Sequence, residues 1–158
     1  MFRGPNSVTL DAKGRMLLPA RVREQLAAHG EGLVVTVDRD PCVLLYPLGV
    51  WQSLQDTLMR LPNMNPDTRR LQRLMVGYAT DIAVDAQGRI LLPPEHRKYA
   101  ALQHDVMLVG QGNHFELWDE ARWDQDVARA QPAQQEVPAS GLDQLTLSGA
   151  PGAQQKQE

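Results

Sequence analysis

The sequence predicts an α+β, β-rich fold built from two copies of one small module, with additional helices between and after the copies. Three observations predict it. The stretch that starts at Val8 recurs 74 residues later, starting at Ile82. Short apolar-rich runs bounded by Gly, Pro and Asp fill each copy, as strands and tight turns require. Between the copies the apolar residues switch to helical spacing.

The repeat comes first, because it sets the organisation of the whole chain. Val8–Arg23 aligned on Ile82–Arg97 is identical at eight of sixteen positions, and Val8/Ile82, Leu10/Val84 and Met16/Ile90 exchange one apolar residue for another. Further on the offset becomes 72, pairing Val43 with Phe115, Leu45 with Leu117, Tyr46 with Trp118 and Trp51 with Trp123. A whole module is duplicated.

In the first module, residues 1–51, the runs 6–10 and 15–18 read as strands on either side of Asp11–Gly14. Asp there bonds the backbone that follows it and Gly accepts positive φ, so the two runs are expected to form a hairpin. Pro19 suits the start of a helix, Val22 and Leu26 share one face of it, and Gly30 stops it. Leu33–Val37 and Val43–Tyr46, split by Asp38–Pro41, read as a second hairpin. The order is ββαββ. A helical connector, residues 52–79, follows: Val50/Trp51, Leu54, Leu58 and Leu61, then Leu71, Leu74/Met75 and Tyr78, recur at helical spacing. Pro62–Pro66 separates the two helices, and Asn65 or Asp67 caps the second. The second module, residues 80–123, repeats the pattern, with strands near 80–84, 89–92, 105–110 and 114–118 and a helix near 94–101. Residues 124–132 end a C-terminal helix. Residues 133–158, rich in Pro, Gln, Ala, Gly and Ser, read as a flexible tail in which Leu142, Leu145 and Leu147 offer transient docking points. A module of about 45 residues buries little apolar surface alone. The hairpins of the two copies are therefore expected to interleave into one shared barrel, an intrachain pseudo-dimer.

Composition narrows the function classes. The single cysteine, Cys42, excludes an intramolecular disulfide framework and a multi-cysteine zinc site, and its apolar strand suggests a buried thiol, not a nucleophile. Met1–Asn6 lacks the apolar core of a signal peptide, and no run approaches the 18 or so apolar residues that span a bilayer. A soluble cytoplasmic protein with no membrane partner is expected. Net charge is −3, but residues 1–28 carry Arg3, Lys13, Arg15, Arg21 and Arg23 against Asp11 and Glu24, a local +3, while residues 124–158 carry −3. A basic front is compatible with a phosphate-bearing partner.

Asp11/Asp85, Gly14/Gly88 and Arg15/Arg89 stay identical in both copies while neighbouring positions vary. Asp11, Gly14, Asp85 and Gly88 are turn-shaping residues. An arginine on a slim hairpin does more, because its planar fork takes a phosphate or the O6/N7 edge of guanine bidentately. Arg15 and Arg89 are thus the principal candidates for DNA contact, although each also suits an ion pair with its own loop Asp. Lys13 adds charge at the first tip, where Gln87 stands in the second. Gly14, Arg3 and Arg21 complete the candidate set, Arg3 and Arg21 being equally readable as solvated side chains.

Met1-Phe-Arg-Gly4, Leu10-Asp-Ala-Lys-Gly-Arg15, Met64-Asn-Pro66, Arg69-Arg-Leu-Gln-Arg73, Val106-Met-Leu-Val-Gly-Gln111 and Phe115-Glu-Leu-Trp-Asp119 resemble the bacterial MraZ family over roughly residues 1–130. Both Asp-x-x-x-Arg motifs are present with these flanks. The resemblance implies a duplicated AbrB-like swapped-hairpin fold, a ring-shaped homo-oligomer, nucleoid association, and a transcriptional regulator. Its partner would be double-stranded DNA with short direct repeats upstream of its own operon, in the division and cell-wall gene cluster. By position the family's DNA-contacting loop falls on Asp11 to Arg15, with Arg15 its principal contact, and on Asp85 to Arg89; Gln87 and Glu95 depart from the first copy's pattern.

Two other classes stay open. An enzyme finds little support: His29, His96, His104 and His114 lack metal-ligand spacing and read mostly as surface or loop residues, and Gly110–His114 lacks the Lys-Ser/Thr ending of a phosphate loop. No catalytic residue, metal, cofactor or small-molecule substrate is expected. An AbrB-like antitoxin whose tail wraps a toxin is the second, and the tail is short of helical apolar spacing. Phe2, Phe115 and the tyrosines and tryptophans fall mainly on core positions, which speaks against stacking on single strands.

Overall fold

The apolar runs become strands, but most find their partners in the opposite copy. The computed structural model describes residues 1–30 and 32–131. Among them, in chain order, are β1 (Phe2–Thr9), β2 (Arg15–Leu17), α1 (Ala20–Ala27), β3 (Leu33–Val37), β4 (Val43–Pro47), α2 (Leu48–Arg60), α3 (Pro66–Tyr78), β5 (Thr80–Ile82), β6 (Arg89–Leu91), α4 (Pro94–Tyr99), β7 (Asp105–Gly112), β8 (Phe115–Asp119) and α5 (Glu120–Ala130). Met1–Asp124 form one compact unit and a second begins at Gln125, its described part being the end of α5. The tail of residues 133–158, with Leu142, Leu145 and Leu147, lies outside the described residues.

A six-stranded sheet has the order β1-β7-β8-β4-β3-β5, and a separate two-stranded ribbon pairs β2 with β6. Exchanging the two copies reverses the sheet order onto itself, so the unit carries a pseudo-twofold relation through the central β4–β8 pair. The hairpins β3–β4 and β7–β8 form within their own copies, in registers Val35↔Leu45 and Leu108↔Leu117. The outer strands are exchanged: β1 pairs with β7 from Phe2↔Gly112 to Thr9↔Asp105, and β5 pairs with β3.

That exchange corrects the expected local hairpin between residues 6–10 and 15–18. The chain reverses at Asp11–Arg15, yet β1 and β2 meet through an isolated bridge, Leu10↔Met16, and each spends its ladder bonds on the other copy. Interleaving is therefore observed. The expected single barrel is not: strand pairing among the described residues stays open, with β1 and β5 at the sheet's edges. Three-residue ribbon strands are too short to carry ladders to both edges.

Period-2 alternation separates two cores. On one face of the sheet Val35, Leu45, Leu108, Phe115 and Leu117 meet Met16, Leu18, Ile90 and Leu92 from around the ribbon, with Val22 and Leu26 of α1 and Ala100 and Leu102 after α4. Phe2 stacks on Phe115 with ring centroids 4.5 Å apart. On the other face Val34, Leu44, Tyr46 and Trp118 meet Trp51 and Leu58 of α2 and Met75 of α3, and Cys42 is buried there. The α2–α3 turn ends at Asn65, whose side chain accepts from the Asp67 amide at 2.9 Å, so Asn65 is the cap. The ribbon is thus held against one side of the sheet and the long helices against the other, leaving both Asp–Arg loops outside.

His96 is the exception among histidines expected mostly at the surface or in loops. His96 on α4 is 2% exposed, with Nε2 2.8 Å from the Tyr78 carbonyl oxygen. Burial holds its pKa below the ordinary 6.5. His29 and His104 are exposed as expected.

Candidate nucleic-acid interface

Each loop is organised by one aspartate. Asp11 Oδ1 accepts from the backbone amides of Lys13 and Arg15, both at 2.9 Å. The Gly14 amide returns to the Asp11 carbonyl at 3.0 Å, and the Asp11 amide donates to the Arg15 carbonyl at 2.9 Å. The second oxygen, Oδ2, takes Arg15 Nε at 2.8 Å. The second loop repeats every bond: Asp85 Oδ1 accepts from Gln87 and Arg89 amides at 2.9 Å, and Asp85 Oδ2 takes Arg89 Nε at 3.1 Å. Both carboxyls are held below their usual range, first by the amide of the loop arginine; desolvation opposes this, and the arginine side chain and the neighbouring amide add to the lowering.

The ion pair does not hide the arginine. The side chains of Arg15 and Asp11 remain 38% and 42% exposed. Binding through Nε leaves the Nη groups of Arg15 without a hydrogen-bond partner among the described residues. The loops differ at these groups. Arg89 Nη2 donates to Gln87 Oε1 at 2.8 Å, whereas Lys13, at the equivalent place, has only donors and leaves Arg15 unengaged. The first loop therefore offers one more free donor group and one more positive charge.

The antiparallel ribbon places the two loops at its opposite ends and brings their arginines to diagonal positions. β2 and β6 run antiparallel with Arg15↔Leu91, Met16↔Ile90 and Leu17↔Arg89 opposite each other. Beyond the ladder, the Leu92 amide donates to the Gly14 carbonyl at 2.8 Å and the Leu18 amide to the Gly88 carbonyl at 3.0 Å. Met16 and Ile90 point into the core, so Arg15 and Arg89 stand on the opposite, outer face.

Two supports come from residues outside the candidate set. Gly14 has φ +90, and a Cβ there would lie 2.7 Å from Arg97 Nε and 2.9 Å from the Leu92 carbonyl oxygen. Gly88 has φ +81, and a Cβ there would lie 2.8 Å from Arg23 Cζ. Each glycine is thus required twice, for its backbone angle and for the guanidinium packed over it. Arg97 and Arg23 are repeat equivalents, and each covers the turn of the other copy. Their identity at the end of the aligned stretch was the signal available in the sequence.

The remaining candidates are spread more widely. Lys13 and Gln87 are exposed at the two tips, and Arg21 is exposed on α1. Arg3 sits opposite Gln111 near the far end of β1, about 20 Å along the strand from Thr9 at roughly 3.3 Å per residue. Lys13, Arg15, Arg23, Arg89 and Arg97 against Asp11 and Asp85 give the loop region five cations and two carboxylates, a local +3. Among the described residues no cluster of His, Cys, Asp and Glu is arranged to hold a metal ion, and no helix is long and apolar enough to cross a membrane.

Comparison with known proteins agrees with the duplication. The family model "MraZ protein, putative antitoxin-like" matches twice, over residues 1–74 and 75–144. The chain is 50% identical over 148 residues to the "Transcriptional regulator MraZ" of Thiobacillus denitrificans, covering 93% of this chain and 100% of that one. It is 56% identical over 124 residues to the protein of the same name from Thioalkalivibrio sulfidiphilus, covering 78% and 83%. A third, from Halorhodospira halophila, is 46% identical over 153 residues, covering 93% and 100%.

Proposed function

This chain belongs to the MraZ family of transcriptional regulators, and from that premise we propose that it binds double-stranded DNA in a sequence-specific manner through the paired loops Asp11–Arg15 and Asp85–Arg89. Its sites are short direct repeats upstream of its own operon, in the division and cell-wall gene cluster. One observation carries the reading: both arginines stand on one outer face of the β2–β6 ribbon, each fixed at Nε by its own aspartate.

That geometry suits base recognition. A two-stranded ribbon is slim enough to enter the major groove, and a guanidinium fixed at Nε still presents two Nη groups to guanine O6 and N7 or to a phosphate. Holding the side chain in place beforehand lowers the entropy lost on binding. Arg15 is the principal contact, Lys13 and Arg21 meet phosphates, and Arg89 with Gln87 gives the weaker second contact. Gly14 shapes the turn that presents Arg15, and Arg3 contacts the backbone at a distance. The interleaved strands are of AbrB-like swapped-hairpin type. The protein works as a ring-shaped homo-oligomer on the nucleoid, in the cytoplasm. Several loop pairs on one ring would engage successive repeats, raising avidity without improving any single contact.

Footprinting on the DNA upstream of the protein's own gene tests this. Regularly spaced protected repeats are expected, spaced as neighbouring loop pairs are. Uniform, sequence-independent protection, or none, would overturn the proposal.

A further inference from the structure

The outer face of the β2–β6 ribbon carries two leucines as well as two arginines. Leu17 and Leu91 are 57% and 56% exposed, although Met16, Leu18, Ile90 and Leu92 beside them are at most 1% exposed. They are repeat equivalents, and each stands directly across the ladder from the other copy's arginine, Leu91 from Arg15 and Leu17 from Arg89. The four side chains form a checkerboard of alternating cation and apolar group. Two apolar residues left in water at the centre of a +3 region add nothing to the core, since their neighbours already fill it.

We propose that Leu17 and Leu91 are specificity-determining residues that pack against the C5-methyl groups of thymines in the major groove, beside the guanines met by the arginines. This rests on the DNA-binding reading above and adds a second base to what each loop pair reads. The major-groove edge of thymine is the one natural DNA base edge that offers a methyl group, and apolar side chains are its complement. Scale agrees with the pairing. Opposed side chains on a ribbon are about 5 Å apart and alternate ones on a strand about 6.7 Å, one to two base steps at about 3.4 Å each. The thymines therefore lie one or two base pairs from the arginine-contacted guanines. The surrounding cations select duplex DNA as the occupant of this apolar patch, not a second copy of the chain.

The test replaces thymines in the bound upstream site one at a time by deoxyuridine, which deletes only the methyl group, and titrates each duplex with the full chain. Wild type should bind about fourfold more weakly at one or two positions per repeat, the effect of one buried methyl. Leu17→Ala and Leu91→Ala should bind unmodified DNA more weakly and lose that sensitivity at their own positions, while Leu17→Met keeps it. A scan that is flat for wild type, or unchanged in the alanine variants, would overturn the inference even where Arg15→Ala abolishes binding. A changed assembly mass in the alanine variants with an unchanged scan would also overturn it, marking the patch as an interface between copies. Wild type that does not distinguish the upstream site from scrambled DNA would instead remove the DNA-binding reading.

Discussion

Aspartate in each loop does three things with two oxygens: it fixes the turn through two amides and holds the guanidinium through Nε. The Asp–Arg ion pair and the DNA contact, which look like rivals in the sequence, are compatible because they use different edges of one side chain. Asp11→Asn keeps the turn acceptor but replaces the oxygen facing Arg15 Nε by a donor. It should lower the preference for the specific site while raising affinity for random DNA, since it also removes a negative charge; gel shifts on both duplexes would show the opposite changes. Lys13→Ala should weaken binding evenly across sequences and reduce the salt slope by about one unit, and a loss confined to the specific site would contradict its assignment to a phosphate. Asp11, Gly14 and Arg15 were legible because the repeat presents them twice. Arg97 and Arg23 were marked only by their shared identity, since each acts on a turn of the other copy, a relation no local pattern records.

At the level of elements, alternation foretold which residues face the core but not which strand supplies the ladder. Val8 and Leu10 face inward whether β1 pairs with β2 or with β7, so the exchange had no local signature. The helices were easier, because Val22 with Leu26 and Trp51 with Leu58 mark buried faces by spacing alone. α4 shows what a short element hides. Nothing in its sequence singles out His96 from the other histidines, yet it packs edge-on against Tyr78 and bonds that residue's carbonyl. Burial lowers its pKa, so the folded state disfavours the proton. The stability this contributes is full above the ordinary value of 6.5 and is lost as pH falls below it toward the folded value. The urea midpoint should therefore drop on acidification below that pH, ahead of carboxylate titration, and His96→Gln should remove this step. An unchanged pH profile in His96→Gln would show that another group is responsible.

For the whole molecule, duplication solves the problem of a module too small to bury a core. The core around the ribbon draws Met16, Leu18, Val35 and Leu45 from one copy and Ile90, Leu92, Leu108 and Phe115 from the other, so neither copy has a dry interior alone. Cleavage in the exposed Pro62–Pro66 link should leave two fragments that co-elute under native conditions and separate in denaturant. Fragments that each unfold cooperatively as independent monomers would contradict the shared core. The symmetry is also incomplete, because Gln87 ties up one Nη group of Arg89 where Lys13 leaves Arg15 free. The most direct test of the account is the ratio of affinities for the upstream site and for random DNA, measured at fixed salt for wild type, Arg15→Ala and Arg89→Ala. Arg15→Ala should bring the ratio to about one with thermal stability and assembly mass unchanged, and Arg89→Ala should lower it less. A ratio untouched by Arg15→Ala would contradict the account.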